Sequence, residues 1–396
     1  MSIKNTDLVH AGRQDLRRLG VHALPVDLST TYPLPDLDQG TASLDALVEG
    51  HKAADNPVYA RLFNPTVARW EQSLARAEGA EAGVAFSSGM AALTACLLAL
   101  REHGKHVVAV RPIYGTSDHL LASGLLGNEV TWVSADEVGA AIRSDTALVM
   151  IETPANPTLQ LVDIEAVVRQ ARNVPVLVDS TFATPVLQRP LQHGAALIMH
   201  SATKFLGGHG DVMAGVVACS DEMAQRLRQV RIATGALLHP WAAYLLHRSM
   251  PTLKLRVEQA EAGAVALAHR LSNDPRVSAV HYPGLAKGKA KDTLNRQMRG
   301  PGSVLAFEID GGHAVAAAVM AGVQLITPAV SLGSVDSLIQ HPAALTHRVM
   351  EEGDRQDCGI SAGLLRLSVG LEEVDDLWHD LDQALTQACL SGRQAA

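Results

Sequence analysis

The chain has little of what marks several protein classes. Aromatic residues make up 4% of it, no basic cluster stands out, and the formal charge at pH 7 is −8. A balance of that sign argues against a nucleic-acid partner. Four cysteines (Cys96, Cys219, Cys358 and Cys389) are scattered with neither metal-ligand spacing nor a disulfide framework. Cys96 and Cys219 lie in apolar runs and read as buried core thiols. No apolar run reaches the length of a membrane span. The start, Met1-Ser2-Ile3-Lys4-Asn5-Thr6-Asp7, has no apolar signal core. A soluble, cytoplasmic chain without membrane association is the expectation.

What is present is ordinary globular material: 396 residues, 47% hydrophobic and 19% charged, a length that suits two domains. Residues 1–55 hold Pro25, Pro33 and Pro35 with little periodicity, which predicts an extended arm with one short helix near Leu44 to Glu49. An arm of that kind suits wrapping a neighbouring subunit. Between 56 and 245, apolar strands alternate with helical stretches: Gly83 to Phe86, Val107 to Val110, Val130 to Val133, Ala147 to Ile151, Val176 to Val178, Leu197 to Met199 and Gly215 to Ala218. The alternation predicts a large α/β domain with a mostly parallel seven-stranded sheet. From 246 to 396, strands at Ser278 to His281, Val304 to Ile309 and Leu365 to Val369 join helices at Leu253 to Leu271, Ala314 to Ala321 and Val374 to Ala388. They predict a smaller C-terminal α/β domain.

The run His200-Ser201-Ala202-Thr203-Lys204-Phe205-Leu206-Gly207-Gly208-His209-Gly210-Asp211 carries the most chemistry. It sets a lysine after a strand, between hydroxyl residues, in a glycine-rich bend. An amine so placed suits a cofactor held as a Schiff base, with hydroxyls for an anion and small residues leaving space for a flat ring. Upstream, the strand Val176 to Val178 ends in Asp179. An acid at the carboxyl end of a buried parallel strand faces the crevice where open α/β sheets bind ligands. Catalysis by pyridoxal phosphate (PLP) needs such an acid against the ring nitrogen, because a protonated ring is the better electron sink. Ser87-Ser88-Gly89-Met90 closes another strand and opens a helix, a phosphate-binding arrangement.

Ser201-x-Thr203-Lys204-x-x-x-Gly208-His209-x-Asp211 resembles the cofactor-lysine signature of the Cys/Met-metabolism family of PLP enzymes. That family holds cystathionine synthases and lyases, methionine γ-lyase and homoserine-ester sulfhydrylases. Tyr59-x-Arg61-x-x-Asn64-Pro65-Thr66, Ser88-Gly89-Met90, Tyr114-Gly115, Glu152-x-Pro154-x-Asn156-Pro157 and Gly359-Ile360-Ser361 through Arg366 to Glu372 follow in the family's order. The resemblance implies a fold-type I PLP-dependent transferase and a homotetramer of two dimers that share active sites. It assigns the cofactor phosphate to Gly89, Met90, Ser201 and Thr203, and to Tyr59 and Arg61 of the adjacent subunit. Tyr114 would stack on the ring and move protons. Asp179, supported by Thr181, would face the ring nitrogen, and Lys204 would hold the cofactor and then act as base. Asn156, Val330, Ser331 and Arg366 would bind substrate, Arg366 taking the α-carboxylate.

Departures from the family pattern bear on the substrate. Relatives that handle cystathionine carry glutamate where this chain has Val330, and an apolar residue there suits a small uncharged side chain. The methionine γ-lyase pattern has cysteine where Thr116 stands, and Asp-Asn-Thr is Asp179-Ser180-Thr181 here. The expected reaction is γ-elimination on a γ-substituted L-amino acid such as L-methionine, giving 2-oxobutyrate, ammonia and the leaving group. The alternatives are γ-replacement of an activated homoserine ester by a thiol, cystathionine γ-lyase activity, and a specialised biosynthetic γ-substitution. A nucleotide loop at Gly207 to Gly210 fits neither G-x-G-x-x-G nor the Walker pattern. His200, His209 and Asp211 lack metal-site spacing, so no metal is expected. An inactive PLP-binding homologue is the non-enzyme alternative, and the retention of Lys204, Asp179, Tyr114 and Arg366 together weighs against it.

Overall fold

The computed structural model describes residues 3–395. Seven strands, β1 (Ala82–Phe86), β2 (His106–Val110), β3 (Glu129–Val133), β4 (Thr146–Glu152), β5 (Val176–Asp179), β6 (Leu197–Ser201) and β7 (Gly215–Cys219), form one sheet in the order β1-β7-β6-β5-β4-β2-β3. Only β7 runs against the others. All seven were expected from the apolar runs, each within two residues of its observed ends.

The sheet is covered on both faces, and its strands alternate between two cores. Val107, Ala109, Leu148, Met150 and Leu177 join one buried cluster, while Val108, Val110, Val149, Ile151 and Val178 join another. Every one of these strand residues is therefore apolar, as expected of central parallel strands. A consequence follows for polar residues. Glu152 and Asp179 terminate β4 and β5 and sit opposite each other in the ladder, at the carboxyl edge where covering helices give way to a crevice.

A second sheet is formed by β8 (Val277–His281), β9 (Val304–Ile309), β10 (Thr327–Pro328), β11 (Leu338–Gln340) and β12 (Leu364–Ser368), ordered β10-β11-β12-β9-β8. Sequence periodicity finds β8, β9 and β12. It misses β10 and β11, which are two and three residues long, too short for an alternation to register. Helices Gly312–Gly322 and Val374–Ala395 pack on each other beside this sheet. The strand β12 carries Arg366 and the segment after β10 carries Val330 and Ser331, so the second sheet supplies part of the site.

The N-terminal segment differs from the expectation. It contains three helices, Asn5–His10, Leu16–Leu19 and Leu37–Val48, and its first part docks on its own chain. Ile3 and Leu8 are buried in a core cluster with Trp70 and Leu74, and Asp15 pairs with both terminal nitrogens of Arg69. The third helix begins where Asp36 caps it, its carboxylate accepting from Gln39 N at 2.8 Å. That cap, eight residues ahead of the expected start, was the overlooked sequence signal. Leu28, Leu34 and Leu37 between these docked parts are exposed.

Candidate active site

Outside the carboxyl edge of the large sheet lies a cavity of about 630 Å³. It is lined by Ser88, Gly89, Met90, Tyr114, Thr116, Ser117, Glu152, Asn156, Asp179, Thr181, Phe182, Met199, Ser201, Thr203, Lys204, Met213, Val330, Ser331, Leu332, Leu345, Thr346, Val349 and Arg366. Every sequence-predicted site residue is there except Tyr59 and Arg61. Tyr59 is exposed, and Arg61 Nη1 donates to Ile232 O at 3.1 Å, away from the cavity of its own chain.

Lys204 follows β6 in a turn. Its Nζ donates to Ser331 Oγ at 2.6 Å. Burial, and then the positive charge of Arg366, bring its pKa down to about 8. A lysine so adjusted presents far more neutral amine near pH 7 than a solvated one. Asp179 Oδ1 accepts from Thr181 N at 3.0 Å and from Thr181 Oγ1 at 2.5 Å, which leaves Oδ2 for a ligand in the cavity. Burial raises the Asp179 pKa, and the Thr181 hydrogen bonds oppose that rise. The same Thr181 Oγ1 accepts from Ser201 N at 2.9 Å, so one hydroxyl ties the acid to the strand that carries the lysine.

The helix Gly89–Ala99 starts at the cavity wall. Ser88 caps it by accepting from Ala91 N at 3.1 Å. The amides of Gly89 and Met90 precede the first intrahelical acceptors and remain available to an anion. A Cβ on Gly89 would lie 3.0 Å from Ser201 Cβ and narrow the space between helix start and hydroxyl. Thr203 Oγ1 lines the cavity beside this cradle, where it accepts from Ala214 N at 3.0 Å and donates to Ala214 O at 3.2 Å. An amine, an acid across the cavity and an anion cradle are the three contacts PLP requires, and these residues fit it. His200 and the glycine run lie elsewhere. His200 Nε2 pairs with buried Glu78 Oε1 at 2.5 Å, and the residue after Gly207 is a glycine because Arg256 Nη1 lies 1.9 Å from where a Cβ would stand. Among the described residues, no group of histidine, cysteine and acidic side chains is arranged to hold a metal ion.

Arg366 is 2% exposed. Its Nη1 donates to Asn156 Oδ1 and its Nη2 to Ser331 O, each at 2.7 Å, and the Gln340 amide lies within 2.9 Å of both nitrogens. These partners orient the guanidinium without neutralising it. A buried charge with no hydrogen-bonded acid costs several kcal/mol, and burial brings the Arg366 pKa down to about 10 against the opposing pull of nearby Glu152. An arginine held this way at a cavity wall suits an anionic ligand such as a carboxylate. His347, fully buried nearby, is pushed down to about 4 by burial and by Arg366, so it stands neutral.

Sequence reasoning passed over Glu152 as a site residue, although it quoted the motif containing it. Glu152 Oε2 accepts from Tyr114 N at 2.7 Å and Oε1 from Asn156 N at 2.8 Å. Burial and the neighbouring Asp179 raise its pKa well above the usual carboxylate range. The missed signal was its position at a strand end, the same signal that identified Asp179. Phe182, Met213, Leu345 and Val349 were also passed over, since apolar residues in loops carry no pattern.

Among the described residues, no helix is long and apolar enough to cross a membrane. The chain matches, over residues 5–386, the model of the family described as Cys/Met metabolism PLP-dependent enzyme. It is 58% identical to an L-methionine γ-lyase of Streptomyces avermitilis, with 96% of this chain and 88% of that one covered. It is 53% identical to an L-methionine γ-lyase of Brevibacterium sandarakinum, with 96% of each covered. Among solved structures, a cystathionine γ-synthase from Xanthomonas oryzae pv. oryzae in complex with aminoacrylate and cysteine superposes with a TM-score of 0.88 at 34% identity, covering 97% of this chain and 98% of that one. A cystathionine γ-lyase from Lactobacillus plantarum complexed with L-serine gives 0.88 at 32% identity, covering 97% and 99%. Family match and full-length relatives agree with the amine, acid and anion cradle: the chain belongs to the Cys/Met-metabolism family of PLP-dependent enzymes, with the fold-type I architecture of its neighbours.

Proposed function

We propose that the chain catalyses γ-elimination on L-methionine, releasing 2-oxobutyrate, ammonia and a thiol. The observation that carries this reading is the company Arg366 keeps. A carboxylate-binding arginine, an amine of lowered pKa and an apolar wall of Val330, Leu345 and Val349 line one cavity. That wall suits a thioether better than a second ammonium group. Relatives at 53–58% identity carrying the L-methionine γ-lyase name support it.

When bound, PLP supplies the electron sink that makes the α-proton acidic. Asp179 holds the charge that keeps the ring nitrogen protonated. Arg366 binds the substrate carboxylate, and Asn156 steadies that guanidinium. Lys204 Nζ would hold the cofactor and, with its lowered pKa, would be a base of suitable strength for the substrate α-proton. Tyr114 stands at the cavity wall, in reach of the departing γ-substituent. Tyr59 and Arg61 complete the phosphate site from a neighbouring subunit, within a homotetramer. The N-terminal segment, with its exposed Leu28, Leu34 and Leu37, belongs to that contact. The units 56–245 and 246–396 act as the cofactor-binding and smaller domains, in a cytoplasmic enzyme.

The test is 2-oxobutyrate release by the purified, PLP-loaded protein given L-methionine alone. Release supports γ-elimination. Silence without a thiol and product formation with an activated homoserine ester plus cysteine would move the assignment to γ-replacement.

A further inference from the structure

Glu152 is joined to two separate parts of the site at once. One oxygen of its carboxyl takes the amide of Tyr114, at the start of the helix Gly115–Ala122. The other takes the amide of Asn156, in the turn after β4. From Asn156 the string of hydrogen bonds continues through its side chain to Arg366, from Arg366 to the carbonyl of Ser331, and from Ser331 Oγ to Lys204 Nζ. Glu152 is 4% exposed, and its strand neighbour in register is Asp179.

A buried carboxyl beside another acid is expensive, and an apolar residue would serve a strand end of this kind at less cost. Both of its oxygens are nonetheless engaged by backbone amides of residues that face the ligand. A carboxyl group turns an oxygen toward each amide, whereas a carboxamide of the same shape would turn an N–H toward one of them.

We propose that Glu152 is the positioning residue of this active site, setting the ring of Tyr114 and the carboxylate-binding pair Asn156–Arg366 in one fixed relation to Lys204. The proposal rests on the γ-lyase reading for its substrate. It acts through backbone: the carboxyl fixes where the chain leaves β2 for Tyr114 and where it turns at Asn156.

Glu152→Gln tests it. The carboxamide keeps the shape but turns an N–H against one of the two amides. The PLP-loaded variant should retain its cofactor, lose roughly ten- to hundredfold in kcat with a rise in KM, and change the visible circular dichroism of the bound cofactor. A cycle with Tyr114→Phe should be non-additive, because Glu152 acts through Tyr114. Kinetics and dichroism like wild type in the folded variant would overturn the proposal, as would an additive cycle. If Glu152→Gln does not fold, Glu152→Asp replaces it. Asp keeps the carboxyl group but reaches only one amide, so lowered kcat at full cofactor content supports the proposal and wild-type kinetics defeat it. All ratios are taken on whichever γ-substituted amino acid the wild type turns over. A wild type inert on methionine therefore counts against the substrate reading and not against Glu152.

Discussion

Lys204 and Ser331 meet through a 2.6 Å hydrogen bond across 127 positions of sequence, and Ser331 makes it from a backbone φ of +89°. A residue with a side chain is strained there, by about 1–3 kcal/mol. The strain is held in place because Arg366 Nη2 grips the Ser331 carbonyl. Replacement by glycine and by alanine separates strain from hydroxyl. Both remove the hydrogen bond to Lys204, but only glycine relaxes the backbone. Ser331→Gly should therefore unfold at higher denaturant concentration than Ser331→Ala, by about 1 kcal/mol after glycine's own entropy cost. Equal midpoints in urea would show that the backbone is unstrained.

Lys204 sets a pH dependence for cofactor capture. With its pKa near 8, about a tenth of the Lys204 amine is neutral at pH 7, against roughly 0.03% for a lysine at 10.5. The neutral amine is the reactive form. The rate at which cofactor-free protein takes up PLP should rise through pH 7 and level off above about pH 8.5. A rate still climbing tenfold per unit at pH 9 would mean that burial and Arg366 do not lower this lysine. Arg366→Gln should shift the plateau upward, since a positive charge that disfavours protonation is removed.

The proposed role of Val330 in substrate choice can be tested by substitution. It is 52% exposed at the mouth, beside Ser331. Val330→Glu places a charge where a thioether methyl would lie, and should lower kcat/KM for methionine by roughly tenfold or more. The same variant should gain on substrates with a distal ammonium group. Unchanged ratios between the two substrates would place the thioether elsewhere.

The proposal that neighbouring subunits share a site is tested by mixing subunits. Lys204→Ala and Arg61→Ala proteins should each be inactive, and assemblies formed from both should regain activity at sites built from one intact Lys204 and one intact Arg61. No recovery in verified mixed assemblies would remove Arg61 from the neighbour's site.

Much of the large sheet was legible because buried parallel strands are apolar at every position. Runs such as Val107 to Val110 and Ala147 to Ile151 need no partner to be recognised. Asp179 and Lys204 stood out for the related reason that a charged residue closing or following such a run has to be accounted for. Glu152 satisfied the same condition and was passed over, because the motif around it drew attention to Pro154 and Asn156. The helix Leu37–Val48 was placed late because Asp36 was not read as a cap. Strands β10 and β11 are too short to leave a period. That residues 3–16 dock on their own chain depends on Trp70, Leu74 and Arg69, partners more than fifty positions away, and local reading carries no trace of them.

The cavity draws its walls from widely separated stretches of chain, and this imposes an order on its making. During synthesis Tyr114, Glu152, Asp179 and Lys204 emerge first and can settle into the large sheet. Ser331 and Arg366 arrive more than a hundred residues later, on the second sheet. The large-sheet wall of the pocket therefore holds the lysine, and the arginine comes from the other sheet. Neither sheet alone contains both the amine and the guanidinium, so the docking of one sheet on the other sets the distance between them.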